Sequence, residues 1–187
     1  MSISSIGPIQ GRGGPLDPVE LETPEPAAGE ILVRVLACGV CHTELDEIEG
    51  RTPPPALPVI PGHEVIGKVL AAGEGAGRFQ PGARVGVGWI HCSDGGDQEN
   101  VSSAFRATGR DANGGFAELM TVPQDYAYAI PDEFDDVEAA PLLCAGGVGY
   151  RALKLAGIEN GQVLGLTGFG GSAHLVLQMA RARLPRT

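Results

Sequence analysis

Three separated stretches of this chain carry side chains that could hold a metal: Cys38-Gly39-Val40-Cys41, Pro61-Gly62-His63-Glu64 and Pro141-Leu142-Leu143-Cys144-Ala145-Gly146-Gly147. Thiolate and imidazole are ligand types that zinc accepts, and a zinc site that does chemistry keeps one coordination position open. Taken alone, the Cys38-x-x-Cys41 pair reads first as buried thiols, and otherwise as a redox pair or half of a structural zinc knuckle. Pro61-Gly62 is a tight-turn signal that brings the next residue close to a neighbour without a side-chain clash. A fourth stretch, Gly168-Phe169-Gly170-Gly171-Ser172-Ala173, has the spacing G-x-G-x-x-A. Its first two glycines let the backbone approach a pyrophosphate, and the helix that follows stabilises the charge.

The elements that must position these residues are mostly strands up to about Tyr150. Ile31–Leu36 and Val65–Leu70 are rich in β-branched residues, Pro81-Gly82 turns the chain into a short strand ending at Val87, and Phe116–Val122 alternates. Many short strands divided by Gly and Pro turns suggest a barrel-like β domain. Beyond Asp135-Asp136 the pattern turns helical, with Val137–Ala140 as a helix entrance and Gly149–Ala156 as a helix ended by Gly157. Gln162–Thr167 reads as a short buried strand. His174–Arg183 follows with an apolar helical face at Leu175, Val176, Met179 and Ala180. Strand, glycine turn and helix make the first unit of a Rossmann-type domain.

With 187 residues, 43% of them hydrophobic, the chain can bury one core and begin a second. A formal charge of −10 without a Lys/Arg cluster argues against nucleic acid. Arg181, Arg183 and Arg186 read as a solvated helix end. No apolar run is long enough to cross a bilayer, and the first residues lack the features of a secretory signal, so a cytoplasmic protein without a membrane partner is expected. In a reducing compartment four cysteines are metal ligands or buried thiols before they are disulfides.

Taken together, the metal-type stretches and the glycine turn resemble the zinc-dependent alcohol dehydrogenases of the medium-chain dehydrogenase/reductase family. The resemblance implies a mainly β, GroES-like catalytic domain over 1–150 and the first βα unit of an incomplete α/β Rossmann domain over 151–187. It implies that Cys41, His63 and Cys144 hold one catalytic zinc, with Glu64 as the carboxylate beside the ligand histidine and Cys38 left as a buried thiol. Thr43 matches the hydroxyl that takes the substrate proton. His42 matches a residue that approaches the cofactor pyrophosphate, and Gly168, Gly170, Gly171 and Ala173 match the dinucleotide turn. The cofactor would be NAD or NADP, and the substrate a small alcohol or carbonyl compound. A homo-oligomer is left open.

This chain departs from the family in places. Asp46 stands at the outer end of the proton relay, where many relatives place histidine. Glu44 stands where relatives often carry Asp, and is expected to orient a ligand. Many relatives hold a second zinc on four cysteines. The matching stretch, His91 to Ser102, has Cys92 alone, so no structural zinc is expected and a flexible polar loop is. The ribose-reading residue would lie about twenty residues past the glycine turn, beyond Thr187. Val163, Leu164, Leu166 and the Leu175-Val176-Met179 face are therefore expected to be partly exposed. Two main readings follow: an alcohol dehydrogenase or its N-terminal portion, and a truncated zinc-binding domain that cannot hold the cofactor and is inactive. A third, a metal-free GroES-like interaction module, belongs to a different class.

Overall fold

A computed structural model describes the backbone of residues 2–5 and the whole of residues 14–187. In chain order its strands are β1 (Ser2–Ser5), β2 (Val19–Glu22), β3 (Glu30–Cys38), β4 (Val65–Ala72), β5 (Arg84–Val87), β6 (Ile90–Cys92), β7 (Arg106–Ala107), β8 (Leu119–Pro123) and β9 (Ala127–Ala129). The helices are α1 (His42–Ile48), α2 (Asp136–Ala139), α3 (Ala145–Ala156) and α4 (Gly171–Arg183).

Five strands form one antiparallel sheet in the order β8-β3-β4-β5-β9. Its inner face supplies the core: Ile31, Val33, Val65, Val69, Val85, Val87, Met120, Val122 and Ala127. Burying a Val or Ile side chain fully contributes about 1.5–3 kcal/mol, so this row carries much of the unit's stability. Period-two alternation holds in β8, where Met120 and Val122 point inward. In β3, Ile31, Leu32 and Val33 are all buried. Leu32 stands outside the core row of Ile31 and Val33, and the regular pairing of β3 with β8 places it opposite Thr121, on the other face of the sheet, where it is covered separately.

The expected strands within 31–36, 65–70, 79–87 and 116–122 all form with slightly different ends. Short β6, β7 and β9 were not anticipated, since pairing alone defines strands of two or three residues. Between β6 and β7 the polar stretch is tied down by hydrogen bonds. Ser93 Oγ donates to Glu99 Oε2 at 2.6 Å and stands 2.7 Å from the Tyr126 hydroxyl, while Arg151 Nη2 donates to the Asp97 carbonyl at 2.5 Å.

Helix α3 ends where expected, with Gly157 in the left-handed region at φ 59°. It packs on α4 through Gly149, where an added Cβ would come within 2.6 Å of Val176 Cγ2. The Arg183 guanidinium sits over the Tyr150 ring, 5.3 Å from its centroid. Of the expected apolar face on α4, Val176 and Ala180 are buried and Leu175 and Met179 half-buried.

One expectation fails. Residues 162–167 form no strand, and Val163 is 95% exposed. A strand exists only through hydrogen bonds to a neighbour, and no strand lies beside this segment among the described residues.

Candidate metal centre

Cys41, His63, Glu64 and Cys144 converge. One donor atom from each lies within 4.8 Å of all the others. The sheet brings the first three together: Cys38 at the end of β3 pairs with Val65 at the start of β4, and the Gly39 amide donates to the Glu64 carbonyl at 2.9 Å. Cys144 arrives from a separate direction, after a single turn of tight helix at Ala140–Leu143. That turn packs on Ile66 through Ala140 and Leu143, so β4 seats the third converging segment as well.

His63 is preceded by Gly62 at φ +101°, a conformation that a side chain would strain. A Cβ there would also stand 2.7 Å from Phe116 Cδ1 and 2.9 Å from Cys38 Sγ. The Pro61-Gly62 turn thus lets His63 point into the cluster from a fully packed backbone.

Glu44 links two of the converging segments. Cys41 precedes the first turn of α1, and its N–H donates to Glu44 Oε2 at 2.8 Å. The other oxygen, Oε1, stands 2.5 Å from Nδ1 of His63, and the Glu44 side chain is 1% exposed. A carboxylate at Nδ1 holds the imidazole tautomer that leaves Nε2 free to bind a metal.

The electrostatics favour a cation. Burial alone would lower the His63 pKa, but the bonds and charges of Cys144 and Glu44 outweigh it and push the value up to about 11. Burial raises Cys144 despite the opposing pull of His63. Burial likewise raises Glu64, against the pull of His63. Acidic groups thus crowd around one imidazole that acts as their shared cation. Tetrahedral bonds of about 2.0–2.3 Å separate ligands by roughly 3.3–3.8 Å, so donors within 4.8 Å need only a small contraction to hold zinc. Cys38 lies outside the cluster, and burial pushes its thiol up to about 12, the behaviour of an inert buried thiol.

The remaining expected residues sit around this cluster. Thr43 is exposed, with its hydroxyl 3.6 Å from Cys41 Sγ. His42 is exposed at the start of α1, 3.6 Å from Asp46 Oδ1. Asp46 is held by Arg51 through Nε at 2.6 Å and Nη2 at 2.5 Å, two contacts the sequence reading did not foresee. Gly168 has φ 77°, Gly170 precedes α4, and Gly171 and Ala173 lie in its first turn. A Cβ built on Gly171 would be 3.9 Å from that of Ala145, so the start of α4 lies against the start of α3. A separate cavity of about 270 Å³, lined by Glu30, His91, Asn113 and Thr121 among others, includes none of the four converging residues. The side chains able to hold a metal lie at the cluster and not in this cavity.

Residues 27–132 match the alcohol dehydrogenase GroES-like domain. The chain is 45% identical over 183 residues to the "Probable alcohol dehydrogenase AdhA" of Mycobacterium tuberculosis, covering 91% of this chain and 52% of that protein. It is 41% identical over 170 residues to an alcohol dehydrogenase of Geobacillus stearothermophilus, covering 87% and 50%. Among solved structures, the cobalt and zinc bound thermostable alcohol dehydrogenase from Pyrobaculum aerophilum superposes with a TM-score of 0.85 at 27% identity, over 98% of this chain and 58% of that one. The chain belongs to the medium-chain alcohol dehydrogenase family and carries its GroES-like domain. It spans about half the length of the curated relatives it matches.

Proposed function

We propose that this chain is the metal-holding part of a zinc-dependent, NAD(P)-linked alcohol dehydrogenase that interconverts a small alcohol and its aldehyde or ketone. The observation that carries the reading is the convergence of Cys41, His63, Glu64 and Cys144 from three separated segments, with Glu44 orienting the histidine. Cys41, His63 and Cys144 would hold one zinc. When bound, zinc supplies Lewis acidity toward the substrate oxygen and the nicotinamide supplies hydride chemistry.

The chain's own groups do the rest. Thr43 Oγ1, beside Cys41, takes the substrate hydroxyl proton. Asp46, one turn further along α1, carries it outward while Arg51 holds its carboxylate in place, and His42 faces the cofactor pyrophosphate. Glu64 adds negative charge beside the ligand histidine. Gly168, Gly170, Gly171 and Ala173 seat the pyrophosphate at the N-terminus of α4. In this reading 1–150 is the catalytic domain and 151–187 begins the cofactor domain in an α/β Rossmann fold. Helix α3 crosses that boundary and connects them.

The unformed strand at 162–167 and the exposure of Val163 favour a second reading, in which the chain holds zinc but not the cofactor. Two measurements on the 187-residue protein decide: zinc per chain by elemental analysis, and titration with NAD(H) and NADP(H). One zinc with micromolar saturation supports the dehydrogenase, one zinc without saturation supports the second reading, and no zinc overturns both.

A further inference from the structure

We propose that Arg110 is a positioning residue for the metal centre, clamping the helix that carries one side of the site to the turn that carries the other. The inference rests on the metal reading above. Its anchor on one side is α1, which follows directly from Cys41 and contains Glu44. Arg110 Nη1 lies 3.2 Å from Glu47 Oε1, a carboxylate that is 4% exposed and sits one turn after Glu44. The same guanidinium donates to the carbonyls just beyond α1, from Nη1 to Thr52 at 2.8 Å and from Nη2 to Pro53 at 3.1 Å.

On the other side, the loop bearing Arg110 is fastened to the residues that precede His63. The amides of Gly114, Gly115 and Phe116 donate to the carbonyls of Ile60, Gly62 and Pro61 at 2.7, 2.9 and 2.9 Å. Asn113 Oδ1 accepts from the Ile60 amide at 3.0 Å. Gly109 lies so close to this turn that a Cβ on it would be 2.7 Å from the Gly62 nitrogen. Arg110 therefore joins α1 to a backbone that is already locked to His63.

Charge adds to the geometry. Glu47 is a buried carboxylate on the same helix as Glu44, and such a group needs a cationic partner. Without Arg110 the carboxylate would be driven toward water, taking α1 with it and shifting Cys41 and Glu44 relative to His63. Arg84 serves as the internal comparison. It binds Asp136 Oδ1 and the carbonyls of Pro131 and Phe134 in a similar three-way fork, with none of the four converging residues among its partners.

The test is the visible spectrum of the cobalt(II)-loaded protein, together with zinc affinity by chelator competition, in R110M, R110K and R84M. Thermal melts of the metal-free forms monitor stability. We expect R110M to lose about 10–100-fold in zinc affinity, the range for groups that orient metal ligands, and to shift the cobalt bands. R110K keeps the charge but not the fork, and should lose at least about threefold if R110M does not fold. R84M should melt lower, with affinity within about twofold of the unsubstituted chain and unchanged bands. Arg110 variants that behave like R84M overturn the clamp. No cobalt–thiolate band in the unsubstituted protein overturns the metal centre itself, and the clamp with it.

Discussion

Glu44 uses its two carboxylate oxygens on two different segments of the converging cluster, one on the Cys41 amide at 2.8 Å and one 2.5 Å from Nδ1 of His63. A single buried side chain thus touches both the start of α1 and the ring of the histidine. We expect Glu44→Ala to weaken zinc binding about 10–100-fold and Glu44→Asp to keep most of it, because the shorter acid preserves the charge and one of the contacts. Competition with a chromophoric chelator reads this directly. An alanine variant that binds within twofold of the unsubstituted chain would show that His63 needs no orienting group.

The turn before His63 tolerates no side chain. Gly62→Ala combines a backbone strain of about 1–3 kcal/mol with a clash against Phe116 and Cys38. We expect a melting temperature lower by about 4 °C or more, at roughly 2–4 °C per kcal/mol for a chain of this size, and lower zinc occupancy. An unchanged melt would mean that the turn relaxes at no cost.

The pH dependence should change sign with the metal. Without metal, His63 has a folded pKa of about 11, above its unfolded value, so the folded state holds that proton more tightly. Its stabilising contribution is full below about pH 6.5 and is lost as the pH rises toward 11. The raised values of Cys144 and Glu64 act in the same direction. With zinc bound the ligands must be deprotonated, so stability is lost on acidification instead. Denaturation midpoints measured against pH, with and without chelator, should slope in opposite directions. Parallel slopes would rule out His63 as a ligand.

Much of this was legible in the residues. The strands at 31–36, 65–70 and 116–122 announced themselves by β-branched residues and alternation, and the three segments that converge by short motifs that survive without a structure. Glu44 was legible for the same reason, lying three residues from Cys41. Arg110 was not, because its contact with Glu47 spans 63 positions and neither residue belongs to a motif. The Arg51–Asp46 pair was missed differently: a charged stretch after a short helix reads as solvated until geometry shows which charges meet. The strand at 162–167 was over-read, since local apolar character cannot reveal whether a neighbouring strand is there to pair with it.

That over-reading can be tested. Val163 is 95% exposed, so Val163→Asp should change the stability of this chain by no more than about 0.5 kcal/mol. Val176, buried against Gly149, should behave differently. Val176→Ala should cost about 1–3 kcal/mol by opening the α3–α4 contact. If Val163→Asp is the more damaging of the two in denaturant titrations, the 162–167 segment is paired in solution.

The polar stretch between β6 and β7 offers a test of what holds such a loop in place. The Tyr126 hydroxyl meets both the amide and the hydroxyl of Ser93, at 2.8 and 2.7 Å, and Ser93 in turn donates to Glu99. Removing that hydroxyl leaves the half-buried Ser93 amide without its partner, at about 1–3 kcal/mol. We therefore expect Tyr126→Phe to hasten proteolytic cleavage within 93–105 while leaving zinc content unchanged, because no group in this network is a ligand of the Cys41 cluster. A fall in bound zinc to near zero would mean instead that the loop supports the metal centre, and would extend the site well beyond the four residues that converge.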